Sequence, residues 1–253
     1  MTEPALRAQG ISKRFGGIVA VDNVDFDLRA AELHAVIGPN GAGKSTLLAT
    51  LAGELSPDAG ALLLDNADIT AASVEKRTRL GIGRTYQRSA VIPDFSALDM
   101  VRLAALRHVS SLWQLRKPMA QLPDVTRRAR DALSRVGLSG REEIAAGALA
   151  HGEKRRLEIA AVLALEPRIL LLDEPLAGLG RDDSGAIVAL IKEFRSSCAI
   201  MLIEHDIVVV FAIADRITVL HQGRVIASGA PADVRGSAAV QEAYLGKQDA
   251  TPG

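Results

Sequence analysis

Residues 36 to 48, VIGPNGAGKSTLL, place three glycines, a proline, a lysine and two hydroxyl side chains between two apolar runs. Gly38, Pro39, Asn40, Gly41, Ala42, Gly43, Lys44 and Ser45 fit the spacing G-x-x-x-x-G-K-[ST], with a strand pattern before it and a helical one after. Glycines at these positions let successive backbone N–H groups turn inward around a polyphosphate, and the helix N-terminus adds its positive dipole end. Lys44 is then expected to reach the β and γ phosphates, and the hydroxyls of Ser45 and Thr46 to lie beside them, with Ser45 an oxygen ligand for Mg2+. A glycine-rich turn that precedes Lys-Ser by accident is the competing reading. At average composition it arises in about one chain in a hundred, before the flanking strand and helix are required.

A second signal lies far downstream, where Asp173 and Glu174 end the apolar run ILLLDEP. Alone, the pair reads as a strand terminating in charge. Beside a phosphate loop, Asp173 suits the Mg2+ shell and Glu174 suits polarising an attacking water. Together the two motifs imply hydrolysis of a nucleotide.

These residues need a scaffold that brings distant segments together. Residues 5 to 37 alternate short apolar and polar runs as strands do, helical spacing follows at KSTLLATLAGEL, and GALLLDNADIT is again β-rich. SVEKRTRL reads as a short charged helix, and about Ser96 to Leu165 as mainly helical, punctuated by Pro93, Pro118 and Pro123. RILLLDEP and CAIMLIEH are apolar on successive residues, so they read as fully buried strands, with the helical DDSGAIVALIKEF between them. Strand, helix, strand of this kind predicts an α/β fold with a mainly parallel sheet and ligands at the carboxyl ends of its strands.

Composition limits the alternatives. The 253 residues carry 30 Lys plus Arg against 30 Asp plus Glu, a balance with no global field toward nucleic acid or acidic lipid. The single Cys198 forms no intrachain disulfide, and the start MTEPALRAQG lacks a basic, then apolar leader, which points to the cytoplasm. Charge interrupts every apolar stretch before the roughly 18 uncharged residues of a membrane span. His34, His108 and His221 lack metal-ligand spacing and read as structural.

The class of nucleotide hydrolase comes from LAHGEKRRLEIA, residues 149 to 160, which resembles the signature segment of ABC-type ATPases. Around it, GIGRTYQRSA with Gln87 resembles the family's Q-loop, AGLGRDD stands at the D-loop position, and MLIEHD with His205 resembles the switch histidine. Phe15 falls where the family stacks an aromatic ring on adenine. The resemblance runs from about Leu6 to Gly246. SKRFGGIVAVDNVDF, GIGRTYQ, HGEKRRLEIA, LIEHD and VQEAYLG look most like the ATP-binding subunits of branched-chain amino acid importers and their urea and amide relatives. The resemblance implies one ABC ATPase domain over residues 1 to 246, made of a P-loop NTPase core, an N-terminal antiparallel β subdomain and an α-helical subdomain inserted at about 90 to 160, followed by a loose tail at 247 to 253. Taken singly, Gln87 also reads as a surface glutamine, His205 as a strand cap and Phe15 as core.

The family's mechanism implies further expectations. Two subunits, identical or paralogous, close head to tail with ATP between one phosphate loop and the other's signature residues, here Ala150, His151, Gly152 and Glu153. Glu174 acts as general base, His205 contacts the γ-phosphate and the water, and Gln87 links metal and water to the helical subdomain. The chain departs from the family's pattern at Ala150, where a serine is usual, at His151, where a glycine is usual, and at Gly180, where Asp or Asn is common. Loss of the signature hydroxyl predicts weakened hydrolysis at the partner's site. The segment between Q-loop and signature carries Arg102, Arg107, Arg116, Lys117, Arg127, Arg128 and Arg130 with Trp113, and reads as a solvated face, a groove for a permease helix, or a lipid-head-group site.

The resemblance therefore implies the energising subunit of an importer, peripheral on the inner face of the membrane, with permease subunits and, indirectly, a solute-binding protein as partners. An ATPase of a lipopolysaccharide exporter and a soluble ABC ATPase acting on ribosomes or DNA are the alternatives. The neutral charge balance and single cassette disfavour the second.

Overall fold

The computed structural model describes residues 5–85, 91–109 and 116–245. In chain order, strands β1 (Leu6–Phe15), β2 (Ile18–Leu28) and β3 (Leu33–Ile37) precede helix α1 (Lys44–Ala52), strands β4 (Ala59–Leu64) and β5 (Ala67–Asp68) and helix α2 (Val74–Arg79). Strand β6 (Ile82–Arg84) leads to helices α3 (Ala97–Ala105), α4 (Pro123–Arg135) and α5 (His151–Leu163). Then come β7 (Ile169–Asp173), α6 (Arg181–Phe194), β8 (Ala199–Ile203), α7 (Ile207–Ile213), β9 (Arg216–His221), β10 (Arg224–Gly229), α8 (Pro231–Arg235) and α9 (Ala238–Leu245). The chain divides into one unit of Met1–Arg77, Ile169–Glu174 and Arg195–Gly253, and another of Thr78–Arg168 and Pro175–Phe194.

The first unit holds two sheets. The smaller is antiparallel in the order β2-β1-β4-β5, and in it β1 and β2 alternate buried and exposed residues. The larger runs β10-β9-β3-β8-β7 in this unit. Its β3, β7 and β8 are buried at all five of their residues, as strands of a parallel sheet covered on both faces must be. Truncating any of Leu170, Leu171 or Leu172, each at most 1 % exposed, to Ala would cost about 2–5 kcal/mol. The long apolar stretch from Ala199 onward breaks into β8, α7 and β9 because Asp206 caps α7, its carboxylate accepting from the Val209 N–H at 3.1 Å.

Register decides where the loops end up. Val36 of β3 lies opposite Ile203 of β8, and Asp173 of β7 lies opposite the same Ile203, all three strands being parallel. Neighbouring strands sit about 4.8 Å apart, so the segments following β3, β7 and β8 leave the same edge of the sheet within about 10 Å of one another.

The second unit is mainly helical. Ser96 caps α3 by accepting from the Asp99 N–H at 3.0 Å, and Pro123 opens α4 with its fixed φ. Of the basic residues singled out in the sequence, Arg102 is held by Asp99 and by the Thr126 hydroxyl, Arg107 by the Thr78 carbonyl, and Arg128 by Glu166. Arg127 and Arg130 lie on the exposed face of α4. Trp113 lies outside the described residues.

His34 joins the two sheets of the first unit. Its Nδ1 bonds to the Asp27 carbonyl at 2.8 Å and its Nε2 to the Thr218 hydroxyl at 2.7 Å, while the ring stacks on Phe26 with centroids 4.5 Å apart. A carbonyl only accepts, so the proton sits on Nδ1 and Nε2 accepts from Thr218, whose own oxygen lies 2.8 Å from Ser228 Oγ. Burial, helped by the Arg216 charge, lowers the imidazole pKa from the ordinary 6.5 to about 3. A histidine whose folded pKa is depressed stabilises the fold fully above pH 6.5 and loses that contribution as pH falls from 6.5 toward 3. Between pH 7 and pH 5 the protein should therefore lose about 2 kcal/mol more stability than a His34→Gln variant. Chemical denaturation of both proteins at the two pH values checks this, and equal losses would contradict it.

Candidate functional site

The loop after β3 turns into α1 through two glycines that accept no side chain. A Cβ on Gly38, at φ +154°, would lie 2.1 Å from the Leu220 carbonyl oxygen. One on Gly43, at φ +102°, would lie 2.2 Å from that of Ala20. Gly43 is the N-cap of α1, so Lys44, Ser45 and Thr46 form the first turn, where backbone N–H groups lack intrahelical acceptors. Lys44 is 6 % exposed and its Nζ donates to the Gly38 and Pro39 carbonyls at 2.7 and 3.1 Å. Burial lowers its pKa, and the negative charges of Glu174 and Asp173 oppose that shift. The lysine of the loop and the two carboxylates of the distant strand end thus share one electrostatic environment.

Asp173, the last residue of β7, is 1 % exposed. Glu174 follows with a left-handed backbone, φ +48°, unusual for a residue with a Cβ and costing on the order of 1 kcal/mol. The bond from its N–H to the Ile203 carbonyl at 2.9 Å holds that conformation against β8. His205 lies just beyond β8. Its backbone N–H donates to the buried Glu204 carboxylate at 3.0 Å, and its Nε2 donates to Glu174 Oε1 at 2.6 Å. The ring is half-exposed while the Glu174 side chain is 13 % exposed, so the pair presents a carboxylate and an imidazole at the sheet edge where Lys44 lies.

Phe15, at the end of β1, is 47 % exposed, with Lys13 Nζ 5.8 Å from its ring centroid. An exposed ring at a hairpin end is available for stacking and is not part of the core. Gln87 lies outside the described residues.

The signature segment belongs to the second unit. Ala150 is the N-cap of α5 in extended conformation, and Glu153 Oε2 accepts its N–H at 3.0 Å. Alanine has no side-chain oxygen to answer, so only one half of a capping box forms. Asp183, at the start of α6, presses its carboxylate on Gly152: a Cβ there would meet Asp183 Cγ at 2.2 Å. His151 Nε2 would lie 3.3 Å from a Cβ on Gly178. Gly152 and Asp183 are 31 positions apart, so no local sequence pattern pairs them. Both Glu153 and Asp183 therefore place negative charge at the α5 N-terminus.

The residues of the first unit fit a magnesium nucleotide. Loop glycines that exclude side chains leave backbone N–H groups to face phosphate oxygens, Lys44 supplies a buried positive charge, and Ser45 with Asp173 supplies hard oxygen donors of the kind Mg2+ prefers.

Residues 21–177 match the ABC transporter family, and residues 224–250 match the family described as branched-chain amino acid ATP-binding cassette transporter. The high-affinity branched-chain amino acid transport ATP-binding protein BraF of Pseudomonas aeruginosa is 36 % identical over 256 residues, covering 98 % of this chain and all of that protein. The corresponding LivG protein of Escherichia coli has the same identity and coverage. Among solved structures, the ADP conformation of an ATP-binding cassette of an ABC transporter superposes with a TM-score of 0.87 at 28 % identity, covering 97 % of this chain and all of that one. A nucleotide-free cassette does so with a TM-score of 0.86 at 27 % identity over 96 % and 99 %. Among the described residues no helix is long and apolar enough to cross a membrane. With its phosphate loop, acidic strand end and histidine gathered at one sheet edge, this chain belongs to the ABC transporter family as one of its nucleotide-binding ATPase cassettes.

Proposed function

We propose that this chain energises an importer of branched-chain amino acids, or of related small polar solutes such as urea or amides. It would lie in the cytoplasm against permease subunits at the inner face of the membrane, paired with a second cassette. The observation that carries hydrolysis is the exit of the β3, β7 and β8 ends at one edge, with Lys44 under the charges of Asp173 and Glu174. The solute class is supported by likeness over the whole length to proteins named for branched-chain amino acid transport.

In this reading residues Gly38 to Thr46 bind the phosphates and Phe15 stacks on adenine. Ser45, Asp173 and Gln87 hold Mg2+, which when bound neutralises phosphate charge. Water attacks the γ-phosphorus, its proton passes to Glu174 Oε, and the β–γ bridging oxygen leaves with ADP. The 2.6 Å bond to His205 fixes the Glu174 carboxylate before the water arrives, and His205 is exposed enough to reach the γ-phosphate. The signature residues Ala150, His151, Gly152 and Glu153 serve the nucleotide held by the second cassette, where the α5 N-terminus meets its γ-phosphate.

A Glu174→Gln variant should bind ATP as the parent does and hydrolyse it at least roughly a hundredfold more slowly; turnover at the parental rate would remove Glu174 as base. Ala150→Ser restores the missing N-cap hydroxyl and should raise the assembled ATPase at least about threefold, the lower range of one hydrogen bond. An unchanged rate would show that the absent hydroxyl does not limit the reaction. For the transport role, deleting this chain should abolish ATP-dependent uptake of leucine, isoleucine and valine, or of urea and short amides, by whole cells, and the tagged chain should co-purify with an integral membrane protein. Co-purification with ribosomes and intact uptake of all these solutes would overturn it.

A further inference from the structure

Arg77 is 1 % exposed and is among the largest fully buried side chains of the protein. Its Nη1 donates to the Thr50 and Leu51 carbonyls at 2.5 and 2.8 Å, its Nη2 to the Thr70 carbonyl at 2.8 Å, and its Nε to the Ala72 carbonyl at 3.0 Å. Thr50 and Leu51 belong to the last turn of α1, where carbonyls lack intrahelical donors. Gly53 ends that helix at φ +89°, and a Cβ there would lie 3.0 Å from Arg77 Cδ and Nε, so the glycine that closes α1 also makes room for the guanidinium. Burial pulls the guanidinium pKa down, yet an arginine keeps its charge at any physiological pH. A buried cation is thus committed to four carbonyls, two of them at the negative end of the α1 dipole.

We propose that Arg77 is a positioning residue of the phosphate site, acting through α1. The helix runs only from Lys44 to Ala52, a length of about 13 Å, and its other end carries Lys44 and Ser45. Pivoting such a rod by about 10° at its C-terminal end moves the N-terminal end by about 2 Å, and misplacement of about 1 Å costs phosphoryl transfer on the order of a hundredfold. The guanidinium fork prevents that pivot, because it ties the end of α1 to the carbonyls of Thr70 and Ala72. In turn, the Thr70 hydroxyl accepts from the Leu62 N–H of β4 at 2.8 Å, which anchors the clamp to the antiparallel sheet. A lysine keeps the charge but not the planar fork, so charge and clamp are separable.

The inference rests on residues 38–46 being the nucleotide site, so a Lys44→Ala protein is the control. Trinitrophenyl-ATP is titrated into the parent, Arg77→Met, Arg77→Lys and Lys44→Ala proteins at a temperature where circular dichroism shows each folded. Arg77→Met is expected to weaken the apparent Kd by at least about tenfold, and Arg77→Lys by at least about threefold, with kcat reduced as well. A residue serving stability alone would lower Tm and leave the Kd of the folded protein untouched. Either folded Arg77 variant binding within twofold of the parent, while Lys44→Ala has lost binding, overturns the positioning role. Unimpaired binding by Lys44→Ala overturns the site assignment itself and the inference with it. Should Arg77→Met fail to fold, the lysine variant decides alone.

Discussion

Parallel pairing of β3, β8 and β7 is the constraint on which the site depends. Because these strands run the same way and Val36, Ile203 and Asp173 lie in register, three segments far apart in the sequence leave the sheet at one edge. Antiparallel pairing of any one of them would send its functional end to the opposite side. The sheet holds this arrangement because β3, β7 and β8 are buried at every residue, so a slip in register would leave apolar side chains and backbone groups without partners.

On that edge the charges are arranged at some cost. Lys44 is buried among carbonyls and pulled toward neutrality by desolvation, with Asp173 and Glu174 supplying the opposing field. Glu174 occupies a left-handed backbone conformation held by Ile203. Strain of this kind persists where the surroundings over-determine it, and here the neighbouring strand holds the backbone and the His205 bond holds the carboxylate. The signature end is built differently: its helix begins at a residue with no capping oxygen, and two carboxylates already face it.

Much of this was legible in the sequence, and what was legible was local. The glycine-rich loop, Asp173 with Glu174, and His205 each sit at the end of an apolar run, so a few consecutive residues state both the element and the place of each side chain on it. The composition and order of runs likewise gave β1 to β3, the helical middle and the buried strands β7 and β8. What stayed hidden depends on side chains meeting across the chain. Arg77 looks like one charge of a solvated helix in SVEKRTRL, and only the fold brings Thr50, Leu51, Thr70 and Ala72 to it. The helical spacing of KSTLLATLAGEL runs on to Leu55, whereas α1 stops at Ala52 because Gly53 adopts a left-handed cap. Asp183 against Gly152, and His34 with a partner 184 positions away, are of the same kind.

The partners of β3 also bear on how the chain is made. In the sheet β3 lies between β9 and β8, both of which belong to the last fifth or so of the sequence. At about 5–20 residues per second, a ribosome needs roughly ten to thirty seconds after emitting β3 to emit its first partner. For that time a strand that is apolar but for His34, and its glycine-rich sequel, have no sheet to join. The edge that gathers Lys44, Asp173, Glu174 and His205 is therefore complete only once most of the chain has been made.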